Sequence, residues 1–193
     1  MGHSNSDMDC VGSSMGIYRL AKTLEKDAYI VLNPRGDNLS AFLNELNQNE
    51  EYNGIVIDSN TALGILDDDT LLVVVDTNKK NYVESPELLS SAKKIMVVDH
   101  HRRSPDYIEN ATLTFHEVYA SSASELVTEL VEYAQKEVNL TSLEAEALYS
   151  GIMMDTKTFT FKTGVRTFEA AAYLRKCGID IIKVKKWFQS DLD

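Results

Sequence analysis

Two β-branched runs that each end in aspartate, "LLVVVD" at 71–76 and "IMVVD" at 95–99, constrain this chain more than any other feature. They are short, apolar at every position before the acid, and bounded by polar turns. Runs of that kind suit strands covered on both faces, as in a parallel sheet with helices above and below. "AYIVLN" (28–33) and "GIVID" (54–58) repeat the texture, so four strands are expected at 28–33, 54–58, 70–76 and 93–99. The segments "NLSAFLNELN" (38–47), "SNTALGILDD" (59–68) and "SPELLSSA" (85–92) are long enough for crossover helices. An all-helical bundle does not accommodate the β-branched runs. The expected fold is α/β, an open and mainly parallel sheet with helices on both faces.

An early helix is expected from about Val11 to Lys26, with Ile17, Leu20, Ala21 and Leu24 on one face. Past residue 110 the pattern changes. "TLTFHEV" (112–118) alternates like an edge strand or a hairpin arm. "SSASELVTELVEYAQKEV" (121–138) follows as an amphipathic helix that sets Ala123, Leu126, Val127, Leu130, Val131, Ala134 and Val138 on one face. Ser122 with Glu125 and Thr141 with Glu144 read as capping boxes, the second opening a helix over 142–154. "FTFKTG" (159–164) reads as a short strand, and 165–178 as a helix capped by Gly178. No repeat or Pro-rich linker divides the 193 residues, which form one domain. Acidic motifs like the opening "MGHSNSDMDC" usually follow a strand, so a strand ahead of Met1 is expected.

In an open parallel sheet, function gathers where the strands end. Asp76 and the triplet Asp99-His100-His101 stand there, and His3, Asp7 and Asp9 join them if a strand precedes the chain. Asp155 closes the apolar helix "ALYSGIMMD", where the helix end already carries partial negative charge. Singly, these residues read as turn formers or helix caps. Together, Asp7, Asp9, Asp76 and Asp155 would repel strongly and raise one another's pKa. Two divalent cations would cancel the four charges. Carboxylates with neutral imidazoles suit Mn²⁺, Mg²⁺, Fe²⁺ or Zn²⁺, and the absence of thiolates disfavours a structural zinc.

Other signals carry less. "HEVYA" at His116 has Ala120 where a zinc-protease helix needs a second histidine. "GSSMG" (12–16) lacks the dinucleotide-binding spacing, and its glycines suit close helix–strand packing. Cys10 and Cys177 show no paired spacing, which fits a reducing compartment. The glycosylation-type triplets at Asn38, Asn110 and Asn139 are chance matches without a secretory signal. The net charge of −11 argues against grip on long nucleic acid.

These residues resemble the DHH phosphoesterase superfamily, named for the triplet that stands here at Asp99, His100 and His101. The stretches "GHSNSDMDCVGSSMGI", "VVVDTNK", "VVDHHRR", "YASSASELVTELVEY" and "GIMMDTKTFTFKTGVRTFEAAAYLRKCG" are similar to the GdpP/YybT-type branch, the bacterial cyclic-di-AMP phosphodiesterases. The resemblance covers essentially the whole chain. It implies two Mn²⁺ ions, with Mg²⁺, Fe²⁺ or Co²⁺ as substitutes. His3, Asp7 and Asp76 would hold one ion; Asp9, Asp76, His100 and Asp155 would hold the other, with Asp76 bridging. Asp99 would orient a ligand, and His101 would contact the scissile phosphate or act as general acid. Arg102 and Arg103 could reach a phosphate. The implied reaction is hydrolysis of cyclic-di-AMP to linear pApA by a water activated between the ions. Nanoribonucleic-acid hydrolysis, pyrophosphate hydrolysis, or a non-catalytic sensory role are the alternatives. A C-terminal DHHA1 domain and an N-terminal membrane and sensory region belong to that branch. The resemblance therefore implies a cytoplasmic domain of a membrane-anchored bacterial protein, and allows a homodimer.

Overall fold

A computed structural model describes residues 1–33 and 39–188. Five strands form, β1 (Ile30–Val31), β2 (Val56–Ile57), β3 (Leu71–Val75), β4 (Lys94–Asp99) and β5 (Leu113–His116). All strand pairs are parallel. β1 pairs with β2, and β3, β4 and β5 form a second ladder with β4 in the centre. The 112–118 segment is thus an edge strand running parallel to β4, not a hairpin arm.

The side-chain period of two explains why β3 and β4 read as unbroken apolar runs. Val73, Val75, Met96 and Val98 face one core, and Leu72, Val74, Ile95 and Val97 face another. The helices are α1 (Met8–Thr23), α2 (Ser40–Gln48), α3 (Ser59–Ile65), α4 (Pro86–Ser91), α5 (Ala123–Glu132), α6 (Ser142–Asp155), α7 (Val165–Lys176) and α8 (Ile181–Trp187). Ala62 of α3 and Leu88 and Leu89 of α4 fill the second core. α1, α2 and α5 to α8 build the first. Both faces of the sheet are covered, as expected. Asn38, the first residue of the 38–47 helix and one of the glycosylation-type triplets, lies outside the described residues.

Several boundaries move for identifiable reasons. The first helix begins at Met8 rather than Val11, because the Asp7 carboxylate accepts hydrogen bonds from the Asp9 and Cys10 amides and caps it. It stops before Lys26 because Glu25 turns left-handed, φ 59°. The 121–138 helix closes at Glu132; the chain then bends, and Val138 enters the core beyond the helix. The Ser122–Glu125 capping box is only half made. Ser122 Oγ accepts from the Glu125 amide, but the Glu125 carboxylate turns to the Ser121 amide and the Thr167 hydroxyl. The Thr141–Glu144 box is complete.

The expected strand at 159–164 is absent. Lys157, Thr158, Phe159 and Lys162 all have left-handed φ, and the amides of Thr160 and Phe161 donate back to the Thr156 carbonyl. A chain coiled on itself in this way offers no ladder to a neighbour. Gly178, φ 89°, sits past the end of α7 as expected.

The glycines of "GSSMG" serve helix–helix contact, not helix–strand packing. A Cβ on Gly12 would lie 2.3 Å from the Ala147 carbonyl of α6, and one on Gly16 would lie 2.5 Å from Val127 of α5. α6 is consequently surrounded. Its Glu144 is fully buried and accepts from Arg19 Nε at 2.8 and 2.9 Å.

At the other edge, the Met1 nitrogen donates to the Val73 carbonyl at 2.8 Å, and the Met1 carbonyl accepts from the Val75 amide at 3.0 Å. This pairing sets the segment that follows, Gly2 to Asp9, against the end of β3. An apolar cavity of about 410 Å³ lies alongside, between β1 and β3.

Candidate metal centre

The carboxyl ends of β3 and β4 deliver the first residues. Asp76 follows β3 in a left-handed conformation, φ 58°, with its amide bonded to the Val98 carbonyl. A non-glycine residue held there is strained, and such strain concentrates at functional positions. Asp99 is the last residue of β4, and His100 and His101 follow it.

The N-terminal segment supplies the next three. His3 is clamped by an antiparallel bridge to Val83 and by Tyr82, whose ring stacks on the imidazole at 5.3 Å. Asp7 caps α1. Asp9 lies in the first turn of α1 and is fully buried. Its two oxygens accept from the Ala123 amide at 2.7 Å and the Ser124 amide at 2.8 Å. These are free donors at the N-terminus of α5, so a tertiary contact caps that helix. Asp155 arrives from the C-terminal end of α6.

All six expected ligands converge. His3 Nε2 lies 3.3 Å from Asp76 and 3.8 Å from Asp7. His100 Nε2 lies 3.2 Å from Asp155, 3.4 Å from Asp76 and 3.8 Å from Asp9. Three overlapping triads result: His3–Asp7–Asp76, Asp9–His100–Asp155 and Asp76–His100–His101, with ligand atoms within 4.8 Å of one another in each. Asp76 belongs to two of them, and His100 joins the third to Asp76.

The electrostatics match a cation site. Burial raises the Asp9 carboxyl well above its usual range, and the charges of Asp76 and Asp155 push it further. Asp7 is raised by burial and by Asp76. Burial works against the charge on His100 and on His3, but the surrounding carboxylates win. Asp155 and Asp76 hold His100 protonated far above the ordinary imidazole range, and Asp76 raises His3. Asp76, in turn, is desolvated yet held low by His100 and His3. Without metal, protonated imidazoles stand in for the cations.

Even so, His100 Nε2 and Asp76 Oδ1 are buried and, close as the facing charges lie, neither completes a well-aligned hydrogen bond among the described residues. Buried polar atoms left open in this way are costly. The donor set, mixed carboxylate and imidazole, fits divalent transition ions.

The fully buried Asp99 carboxylate meets His101 Nδ1 at 2.9 Å and accepts from Asn78 Nδ2 at 2.5 Å. His101 Nε2 is left free, and the residue lines a cavity of about 250 Å³ at the mouth of the site. Arg102 and Arg103 are exposed; the Arg103 guanidinium lies 5.1 Å over the Tyr107 ring, and neither residue lines that cavity.

Four contributors were not read from the sequence. Asn78 clamps Asp99, Tyr82 backs His3, Lys79 lines the cavity, and Gly151 lets α6 approach Asp9. Only Asn78 and Lys79 left a signal, two and three residues past the strand-end Asp76.

Comparison with known proteins places this arrangement. The DHH family, N-terminal domain, matches residues 1–152. The cyclic-di-AMP phosphodiesterase GdpP of Bacillus subtilis is 42% identical over 195 residues, covering 100% of this chain and 30% of that protein. The cyclic-di-AMP phosphodiesterase PdeA of Listeria monocytogenes is 43% identical over 197 residues, again covering 100% of the chain and 30% of the relative. The chain thus spans about a third of the length of these relatives. The crystal structure of an exopolyphosphatase-related protein from Bacteroides fragilis superposes with a TM-score of 0.79 at 20% identity, over 98% of this chain and 55% of that one. Among the described residues, no helix is long and apolar enough to cross a membrane.

Proposed function

The chain belongs to the DHH family, and from that premise we propose that it is the catalytic domain of a metal-dependent phosphodiesterase that opens cyclic-di-AMP to linear pApA. The observation that carries this reading is the convergence of His3, Asp7, Asp9, Asp76, His100 and Asp155, with buried ligand atoms of His100 and Asp76 left open.

His3, Asp7 and Asp76 would hold one divalent ion, and Asp9, Asp76, His100 and Asp155 a second, with Mn²⁺ the favoured metal. Bound there, such ions supply charge neutralisation for a phosphodiester and a water of lowered pKa. The chain's own residues do the rest. Asp76 fixes the spacing of the two halves from its strained position. Asp9, tied to α5, keeps its half rigid, which preserves the alignment that in-line attack requires. Asp99 accepts a hydrogen bond from His101 Nδ1–H, which turns Nε2–H toward the substrate. Water adds to phosphorus and releases one proton to solvent, the bond from phosphorus to the ribose 3′-oxygen breaks, and that oxygen takes the proton from His101, which solvent then replaces. The phosphate stays on the 5′ side, which yields pApA.

In the intact protein, a C-terminal DHHA1 domain would complete the substrate side, and the whole would be tethered to the bacterial membrane. GdpP and PdeA are longer than the part this chain matches, 30% of each, which leaves room for both additions.

The test is a substrate panel in Mn²⁺, comparing cyclic-di-AMP, cyclic-di-GMP, pApA and pyrophosphate. It is run on this chain and on a version extended through the DHHA1 domain. Fastest turnover of cyclic-di-AMP to pApA is expected. Preferred cleavage of pApA or of pyrophosphate would replace this reading with an oligonucleotide hydrolase or a pyrophosphatase. Metal uptake with no hydrolysis in either form would leave a sensory domain.

A further inference from the structure

We propose that Lys79 is the specificity residue of this site: its ammonium takes the second phosphate of a dinucleotide, the one the metal centre does not hold. The inference rests on the phosphodiesterase reading above and adds to it a reason for preferring substrates with two phosphates.

Charge balance makes the case. Asp7, Asp9, Asp76 and Asp155 carry four negative charges, which two divalent ions neutralise. A scissile phosphate would sit at those ions. The second phosphate of a cyclic dinucleotide brings one more negative charge, which that balanced centre does not neutralise and a separate cation beside the cleft would meet. Among the described residues lining the 250 Å³ cavity, Lys79 is the single lysine or arginine.

Lys79 is also held in place. Its backbone forms an antiparallel bridge with Tyr107, and its amide donates to Thr77 Oγ1 at 3.2 Å. On either side, the Asn78 carbonyl accepts from the Ile108 amide at 2.8 Å and the Lys80 amide donates to the Asp106 carbonyl at 3.0 Å. The same Asn78 clamps Asp99, so the lysine is tied to the frame that orients His101. Several surface lysines are engaged, such as Lys93 with Asp68, Lys94 with Asp69 and Lys183 with Glu146. Lys79 makes no ion pair among the described residues. A fixed backbone at the cavity wall and an exposed lysine side chain near Asp106 but with no ion pair among the described residues suit recognition of a phosphate.

The test compares two probes on the Mn²⁺-loaded chain: cyclic-di-AMP, with two phosphodiesters, and bis(p-nitrophenyl) phosphate, with one. Binding is read by calorimetry, KM and kcat are measured separately, and bound manganese is counted. Lys79→Gln should reduce the affinity ratio between the two probes about tenfold or more, through KM rather than kcat and with both ions retained. Lys79→Arg should restore the ratio. An unchanged ratio, an equal loss on both probes, or a lost ion would overturn the assignment. Wild-type protein that carries manganese yet binds neither probe, both as this chain and when extended through the DHHA1 domain, would instead sink the phosphodiesterase reading itself.

Discussion

Gly151 of α6 faces Asp9 of α1 so closely that a Cβ at position 151 would lie 2.8 Å from the Asp9 Cα and 2.8 Å from its Oδ1. The same Cβ would stand 2.2 Å from the Oγ of Ser124, whose amide holds that same Oδ1. One half of the candidate metal centre therefore depends on a missing methyl group. Gly151→Ala should cost about 1–3 kcal/mol of stability through overpacking. It should also displace Asp9, so that manganese analysis finds one ion instead of two. Two ions held at wild-type affinity would show that α6 can shift without disturbing Asp9.

Asp76 stands in reach of both His3 and His100. Asp76→Ala should abolish binding of both ions, measured by metal analysis after dialysis. Retention of one ion would contradict the bridging role.

His101 is tied to Asp99 and lies outside the proposed ligand set. His101→Ala should keep both ions and lose turnover by roughly 10²–10⁴-fold, the usual scale of general acid catalysis. Loss of metal in this variant would move His101 among the ligands.

The metal-free protein holds His100 protonated well above the ordinary imidazole range. Coordination needs the neutral ring, so metal must displace that proton. Because the pKa of the metal-free site is raised, the proton is present at neutral pH. Affinity for Mn²⁺ should rise as pH increases from 6 to 9, with protons released on binding. Calorimetry in buffers of different ionisation enthalpy reads that release directly. Affinity independent of pH would mean His100 is not a ligand.

Glu144 is fully buried and paired with Arg19 across α1 and α6. Arg19→Ala strands that carboxylate and should cost about 3 kcal/mol, read as a lower urea midpoint. The metal centre is built from other residues, so manganese stoichiometry should survive.

The strands β3 and β4 were legible because both of their faces are covered, which writes burial into every position. The acids at their ends were legible for the same reason: a charge directly after such a run is conspicuous. Thr156 to Gly164 were not, since alternating Thr and Phe resemble a strand while the backbone closes on Thr156 through left-handed residues. The Glu125 carboxylate was misread because its partner, Thr167, lies 42 positions away.

By itself, the sequence determined a parallel α/β domain and the set of side chains able to hold cations, because periodicity and residue chemistry are local properties. Tertiary structure alone decided the pairings. Asp9 meets amides 114 and 115 positions distant, Asp99 chooses His101 over His100, and Lys79 rather than Arg103 reaches the cavity wall. Those outcomes depend on how closely helices approach and which way a fixed backbone aims each side chain. Such distances exist only once α1, α5 and α6 have packed together.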